Sequence, residues 1–158
     1  MHDDNSSSKN EQESVLRGGE MEASVGYRLR LAQILAYRNF EEKITDHGVA
    51  PRYLGLLGIV SANPGQPQNK LADAIGLQKS SLVTILDRLE KERILERRAI
   101  PQDRRARGVW LTPRGEKVVT ELAVRAADHE ERMAKGIPAE DRERLIEMLG
   151  HIIDNLRS

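Results

Sequence analysis

Residues 71–89, LADAIGLQKSSLVTILDRL, hold two apolar helical periods broken by a single glycine, and a stretch rich in arginine, RRAIPQDRRARGVWLT, follows within ten residues. This spacing restricts the fold more than any other part of the chain. Leu71, Ala72 and Ile75 make one apolar face, Gly76 can take the left-handed conformation of a sharp turn, and Leu82, Ile85, Leu86 and Leu89 resume the period. Ala72 is small where a second helix must cross closely. The pattern predicts a helix-turn-helix whose second helix exposes Lys79, Ser80, Ser81, Thr84 and Arg88, with Gln78 at its N-cap and Gln68 and Lys70 opening the first helix. Such polar tips suit phosphates and base edges in a major groove. The plain alternative is a helical hairpin in a bundle.

The arginine stretch favours the first reading. Glu96 to Ile100 alternates, Pro101 interrupts, and Val109 to Thr112 resumes, which predicts two short strands around a turn. Arg97, Arg98, Arg104, Arg105 and Arg107 stand there against Asp103 alone. A guanidinium can fork onto a phosphate or enter a narrow minor groove, so a basic hairpin beside a recognition helix gives a second grip on duplex DNA. Asp103, two residues before Arg105, is expected to hold that side chain in a fixed direction.

With these motifs the chain resembles the MarR family of bacterial transcriptional regulators, from about Val25 to Leu156. LDRLEKERILERR and PQDRRARGVWLTPRGE carry most of the resemblance, with GVAPRYLGLL and NPGQPQNKLADAIGL in support. It implies a homodimer joined by its first and last helices, each subunit setting a winged-helix lobe on an inverted-repeat operator. Two positions depart from the family pattern. Gln78 stands where Ser is the usual N-cap, and Arg93 stands where the family turns on Gly, at about 1 kcal/mol if that residue is left-handed.

A chain of 158 residues with 39% hydrophobic and 3% aromatic residues suits one helical unit, here mainly α with a small β-wing. The absence of Cys excludes thiol-based sensing and Cys-built zinc sites. The polar start, MHDDNSSSKNEQES, is no signal peptide, no apolar run reaches membrane-spanning length, and a cytoplasmic protein is expected. The net charge of zero hides an asymmetry: Asp3, Asp4, Glu11, Glu13, Glu20 and Glu22 face only Lys9 and Arg17 in the first 24 residues, leaving the rest positive. DNA contact should therefore rest on a local patch.

The chain is read as a flexible acidic tail (1–23), a first dimerisation helix (24–48), a winged helix-turn-helix (49–113) and C-terminal dimerisation helices (114–158). The first helix should run from Val25 to about Asp46 before His47-Gly48, the second from Pro51 to Ser61 or Ala62 before Asn63-Pro64-Gly65. Gln66 to Gln68 suit a short third strand. Thr112-Pro113 caps a long helix to about Lys135, Gly136 breaks it, and Pro138 opens the last helix to Arg157. In that helix Leu145, Leu149, Ile152 and Leu156, flanked by Ile146 and Ile153, make a stripe that something apolar must cover. A second subunit or the chain's own core would serve.

Arg38 interrupts the apolar face of Tyr27, Leu31, Ile34 and Leu35, and His129 interrupts that of Val118, Leu122, Ala126 and Met133. Buried, each needs a partner. One reading is an effector pocket in which Arg38 meets an anion and His129 a hydrogen bond, completed by Tyr27, Arg52 and Tyr53; the other is an ion pair and a backbone bond. The resemblance favours the pocket, since relatives release DNA when small aromatic acids bind there, and the implied effector is an aromatic carboxylate or its thioester. No cofactor is expected. A metal-responsive regulator would have to use His47, His129 and His151, which lack HxxxH or HxH spacing. No phosphate loop or nucleophile constellation suggests an enzyme. A helical interaction module without DNA affinity would make the wing arginines dispensable.

Overall fold

The computed structural model describes residues 17–101 and 103–157, Arg104 by its backbone alone. The acidic-tail reading lies outside the described residues up to position 16. The remainder of that stretch holds a 3-10 turn, Gly19–Ala23, closed by the Gly18 N–H donating to Glu22 Oε1 at 2.6 Å.

Six α-helices and three short strands follow: α1 (Val25–Glu41), α2 (Leu54–Ala62), β1 (Gln66–Pro67), α3 (Gln68–Ile75), α4 (Lys79–Lys91), β2 (Leu95–Ile100), β3 (Asp103–Leu111), α5 (Pro113–Met133) and α6 (Ala139–Arg157). The chain divides into two units, Met1–Leu35 and Ala36–Ser158, with the division inside α1. In the first, Ser24 Oγ accepts from the Tyr27 N–H at 3.2 Å and the Glu22 carbonyl from Arg28 Nε at 2.6 Å, which fixes the entry to α1.

The second unit has one core, built from Phe40, Ile44, Leu56, Leu57, Val60, Leu71, Leu82, Leu86, Leu89, Ile94, Leu95, Val109, Val118 and Leu122. The apolar period predicted for residues 71–89 thus forms part of this core, with Ala72 fully buried. Helix α1 ends earlier than expected, at Glu41. The tight bond from the Ile44 N–H to the Glu41 carbonyl, 3.0 Å, turns the chain out of the helix and places Ile44 in the core. Residues Ala50–Tyr53, expected as the first turn of α2, form a 3-10 turn with Pro51 buried.

The sheet is antiparallel in the order β1-β3-β2, so the third strand expected near Gln66 is present as β1. Leu95 pairs with Leu111, Arg97 with Val109 and Arg98 with Gly108, and the register shifts between Ala99 and Ile100. Thr112 caps α5: its Oγ1 accepts from the Gly115 N–H at 3.0 Å and donates to the Arg93 carbonyl at 2.6 Å. A Cβ on Gly115 would lie 1.8 Å from the Ile94 carbonyl oxygen. Only glycine lets α5 start this close to the end of α4.

Candidate nucleic-acid interface and effector cavity

Helices α3 and α4 meet at Gly76, which is left-handed at φ +71°, and the Leu77 N–H closes the turn on the Ala72 carbonyl at 3.0 Å. Burial of Leu82, Leu86 and Leu89 fixes the rotation of α4 and turns Lys79, Ser80, Ser81, Thr84 and Arg88 to solvent. Thr84 donates to the Ser80 carbonyl at 3.2 Å, and Lys79 and Arg88 have no ionic partner among the described residues. Gln78 is the N-cap and makes no side-chain capping bond, so the first N–H groups of α4 stay open to an external acceptor. Lys70 is exposed on α3. Gln68, expected among the DNA-contacting residues, is half-buried, and its Oε1 accepts from Arg97 Nη1 at 3.4 Å.

The hairpin divides its arginines into two kinds. Arg97 pairs across β2–β3 with buried Val109, so it faces inward and reaches Asp87 Oδ1 at 2.6 Å and Glu90 Oε2 with Nε at 3.1 Å. These bonds hold the Glu90 carboxyl below its ordinary range and raise Arg97 above its own. Arg98 pairs with Glu96 and lies 5.5 Å over the Trp110 ring. Arg105 and Arg107 are exposed and carry no ion pair among the described residues. Asp103 does not hold the Arg105 guanidinium as expected. Its Oδ1 accepts from the Arg105 backbone N–H at 2.9 Å, because an Asx turn brings that donor nearer than the long side chain's end. Asp103 therefore shapes the wing tip and leaves the guanidinium free.

A cavity of about 600 Å³ opens beside α2, lined by Tyr37, Tyr53, Ile59, Ile75 and Leu156 with two arginines, Arg52 and Arg157. Of the expected effector residues, Arg52 and Tyr53 line it. Arg52 forks onto Glu41, Nε to Oε1 at 3.0 Å and Nη2 to Oε2 at 2.8 Å, which holds the Glu41 carboxyl below its ordinary range. Arg38, expected to be buried, is a correction: its side chain is 65% exposed and lies 3.9 Å from Glu42, because the α1 face that carries it is itself uncovered within one chain. His129 packs against Phe40 with tilted rings, centroids 5.4 Å apart, and both its ring nitrogens are buried without a hydrogen-bond partner among the described residues. Tyr27 belongs to the first unit and is half-buried there. Sequence reasoning missed Glu41 and Tyr37. No signal marks them, since Glu41 ends a helix and meets Arg52 only through the intervening turn.

Among the described residues no group of three or more His, Cys, Asp or Glu side chains is placed to hold a metal. His47 lies 3.3 Å from Glu121, and His151 is exposed on α6. No helix among those residues is long and apolar enough to cross a membrane.

A helix-turn-helix followed by a basic two-stranded hairpin defines a winged-helix protein of the transcription-regulator class. A family model for the MarR family matches residues 47–106, from before α2 into β3. The chain is similar to a protein of Thauera aromatica described as a transcriptional regulator for the hcr operon, 35% identical over 105 residues, or 66% of this chain and 63% of that relative. The chain thus matches under two thirds of that relative's length. Among solved structures it is similar to the transcriptional repressor CouR bound to a 23-mer DNA duplex, with TM-score 0.79, 29% identity, and 89% of this chain and 99% of that one covered. CouR bound to p-coumaroyl-CoA gives TM-score 0.77 and 27% identity over 87% and 97% of the two chains. The winged-helix region is thus similar to that of MarR-family transcriptional regulators.

Proposed function

We propose that this regulator is a repressor that binds an inverted-repeat DNA operator as a homodimer in the cytoplasm and releases it when an aromatic carboxylic acid, or its thioester, occupies the cavity beside α2. The observation that carries the DNA reading is the division of charge on the wing. Arg97 and Arg98 are neutralised by carboxylates of their own chain, while Arg105 and Arg107 stand exposed on β3 with no ion pair among the described residues. An unneutralised guanidinium beside a recognition helix suits phosphates or a narrow minor groove. Lys79, Ser80, Ser81, Thr84 and Arg88 would read the major groove, with Gln78 at the open helix N-terminus and Lys70 on the backbone.

The effector reading is supported by the cavity's size, which falls within the usual range for small-molecule sites, and by its mixture of aromatic and aliphatic walls with two arginines, Arg52 and Arg157. Likeness to a repressor crystallised with p-coumaroyl-CoA agrees with that chemistry. Arg52 is the natural receptor for the effector's anion; Tyr53 and Tyr37 would flank its ring.

The test is a fluorescence-anisotropy titration with a duplex selected by the protein from a random pool. Replacing Arg104, Arg105 and Arg107 by Ala should weaken binding and flatten the log–log salt dependence by roughly one unit per lost phosphate contact. Circular dichroism should stay unchanged. Unaltered affinity and slope would remove the wing from the mechanism and leave a helical interaction module.

A further inference from the structure

Two cavities meet at Arg52 and Tyr53. The larger is the proposed effector site; the smaller, about 280 Å³, is lined by Glu41, Ile44, Val49, Arg52 and Arg88 among others. The smaller one therefore joins the end of α1 to α4, the helix proposed to read DNA. Its charge is unbalanced. Glu41 is the one carboxylate on its wall, against the two guanidiniums of Arg52 and Arg88. Arg52 holds Glu41 with both ends of its fork, and Arg88 has no carboxylate among the described residues.

We infer that Glu41 is a built-in competitor for the effector's anion: an aromatic anion in the larger cavity takes the Arg52 fork, and the released Glu41 carboxylate turns across the smaller cavity to Arg88. This rests on the proposed effector site and on α4 as the DNA-reading helix. The physical argument is one of partners. The Glu41 side chain is 27% exposed, so losing Arg52 leaves a partly screened carboxylate that another cation on the same wall can attract. Arg88 is the other cation on the same wall. Once paired there, Arg88 is drawn off the DNA-facing side of α4 and loses the charge it offered to a phosphate. One ligand anion then gives each arginine one anionic partner, and the effector favours the DNA-incompetent arrangement through a bond that arrangement alone contains.

Glu41→Gln separates the two halves of this exchange. The variant should bind the effector several-fold tighter, because Arg52 is no longer occupied by a charged rival, yet release DNA poorly, because a neutral amide does not capture Arg88. DNA affinity without effector should match wild type. The wild-type ratio of DNA affinities without and with effector, about 5- to 150-fold for a coupled site, should fall toward one. Cinnamate and cinnamoyl-CoA are the probes: a response to cinnamate assigns the anion to a carboxylate, and a response to the thioester alone assigns it to the CoA phosphates. Calorimetry gives the affinities and anisotropy the release.

If wild type binds neither probe, the effector site itself fails. If wild type responds and Glu41→Gln releases DNA as well as wild type, or binds the probe more weakly, the exchange is overturned while the effector site stands. In the wild-type chain, arginine side-chain NMR gives an independent reading that no folding defect obscures. The Arg52 and Arg88 guanidinium signals should both move on addition of the effective probe, and a stationary Arg88 would overturn the relay.

Discussion

Arg93 is left-handed, at φ +58°, and is the one residue other than glycine with a positive φ among those described. Its position is set from both sides. The Arg93 and Ile94 N–H groups close the end of α4 on the carbonyls of Glu90 and Leu89, each at 2.9 Å, and its own carbonyl receives the Thr112 hydroxyl. An L side chain in this conformation costs about 1–2 kcal/mol. Arg93→Gly removes the strain and adds a smaller loss through the more flexible unfolded chain, so it should stabilise the fold by about 1 kcal/mol. The denaturation midpoint should rise with no change in its slope, and an unchanged or lower midpoint would show that the Arg93 side chain compensates. This residue was legible only through the resemblance, because Arg93 stands where the MarR pattern turns on Gly. The Asp103 bond was not: residue type gives the reach of a side chain, and only the local turn decides whether a backbone or a guanidinium donor comes first.

At the level of elements, the wing and α4 are tied through Arg97, which also reaches Gln68 at the start of α3. Composition counts five arginines in the hairpin; strand register sorts them, since Arg97 lies opposite Val109 while Arg98 and Glu96 share the other face with Trp110. Alternation was readable in the sequence, but which face meets α4 depends on the pairing. Arg97→Gln should lower the melting temperature and weaken DNA binding while leaving the salt slope near wild type, because it loosens the wing without removing a phosphate contact. The sign of its pH dependence follows from Glu90. Arg97 depresses the Glu90 pKa, so the contribution is fully present above the ordinary value of 4.5 and fades as pH falls through the lower folded value. The melting-temperature gap between wild type and Arg97→Gln should therefore narrow between neutral pH and strong acid. A gap constant across that range would mean that Arg97 acts by packing alone.

Across the whole molecule, apolar surface is distributed unevenly. Helix α6 has no buried residue, and Leu145, Ile146, Met148, Ile153 and Leu156 are all exposed; α1 buries only Phe40 and exposes Val25, Leu31, Ile34, Leu35 and Tyr37. The sequence showed that these faces are apolar, because periodicity reports chemistry along a helix. It did not show that the chain leaves them open, and this is why Arg38 read as buried. The cavity proposed for the effector was hidden for a related reason: its walls come from residues 37, 52–59, 74–76 and 153–157, which no local pattern connects. Exposed apolar stripes on two long helices are costly in water, and a second copy of the chain would cover them symmetrically. Two charges on the stripe away from the cavity, Ile146→Glu with Leu149→Glu, should then give a monomer by sedimentation velocity with the winged-helix core still folded, since that core draws nothing from α6. A two-fold pair of recognition helices spans half-sites about 10 base pairs apart, and neither half alone holds the duplex as tightly. The variant should thus lose affinity for the inverted repeat while binding single half-sites about as weakly as wild type does. A variant that remains dimeric, or a monomer that protects the full repeat, would place the subunit contact elsewhere.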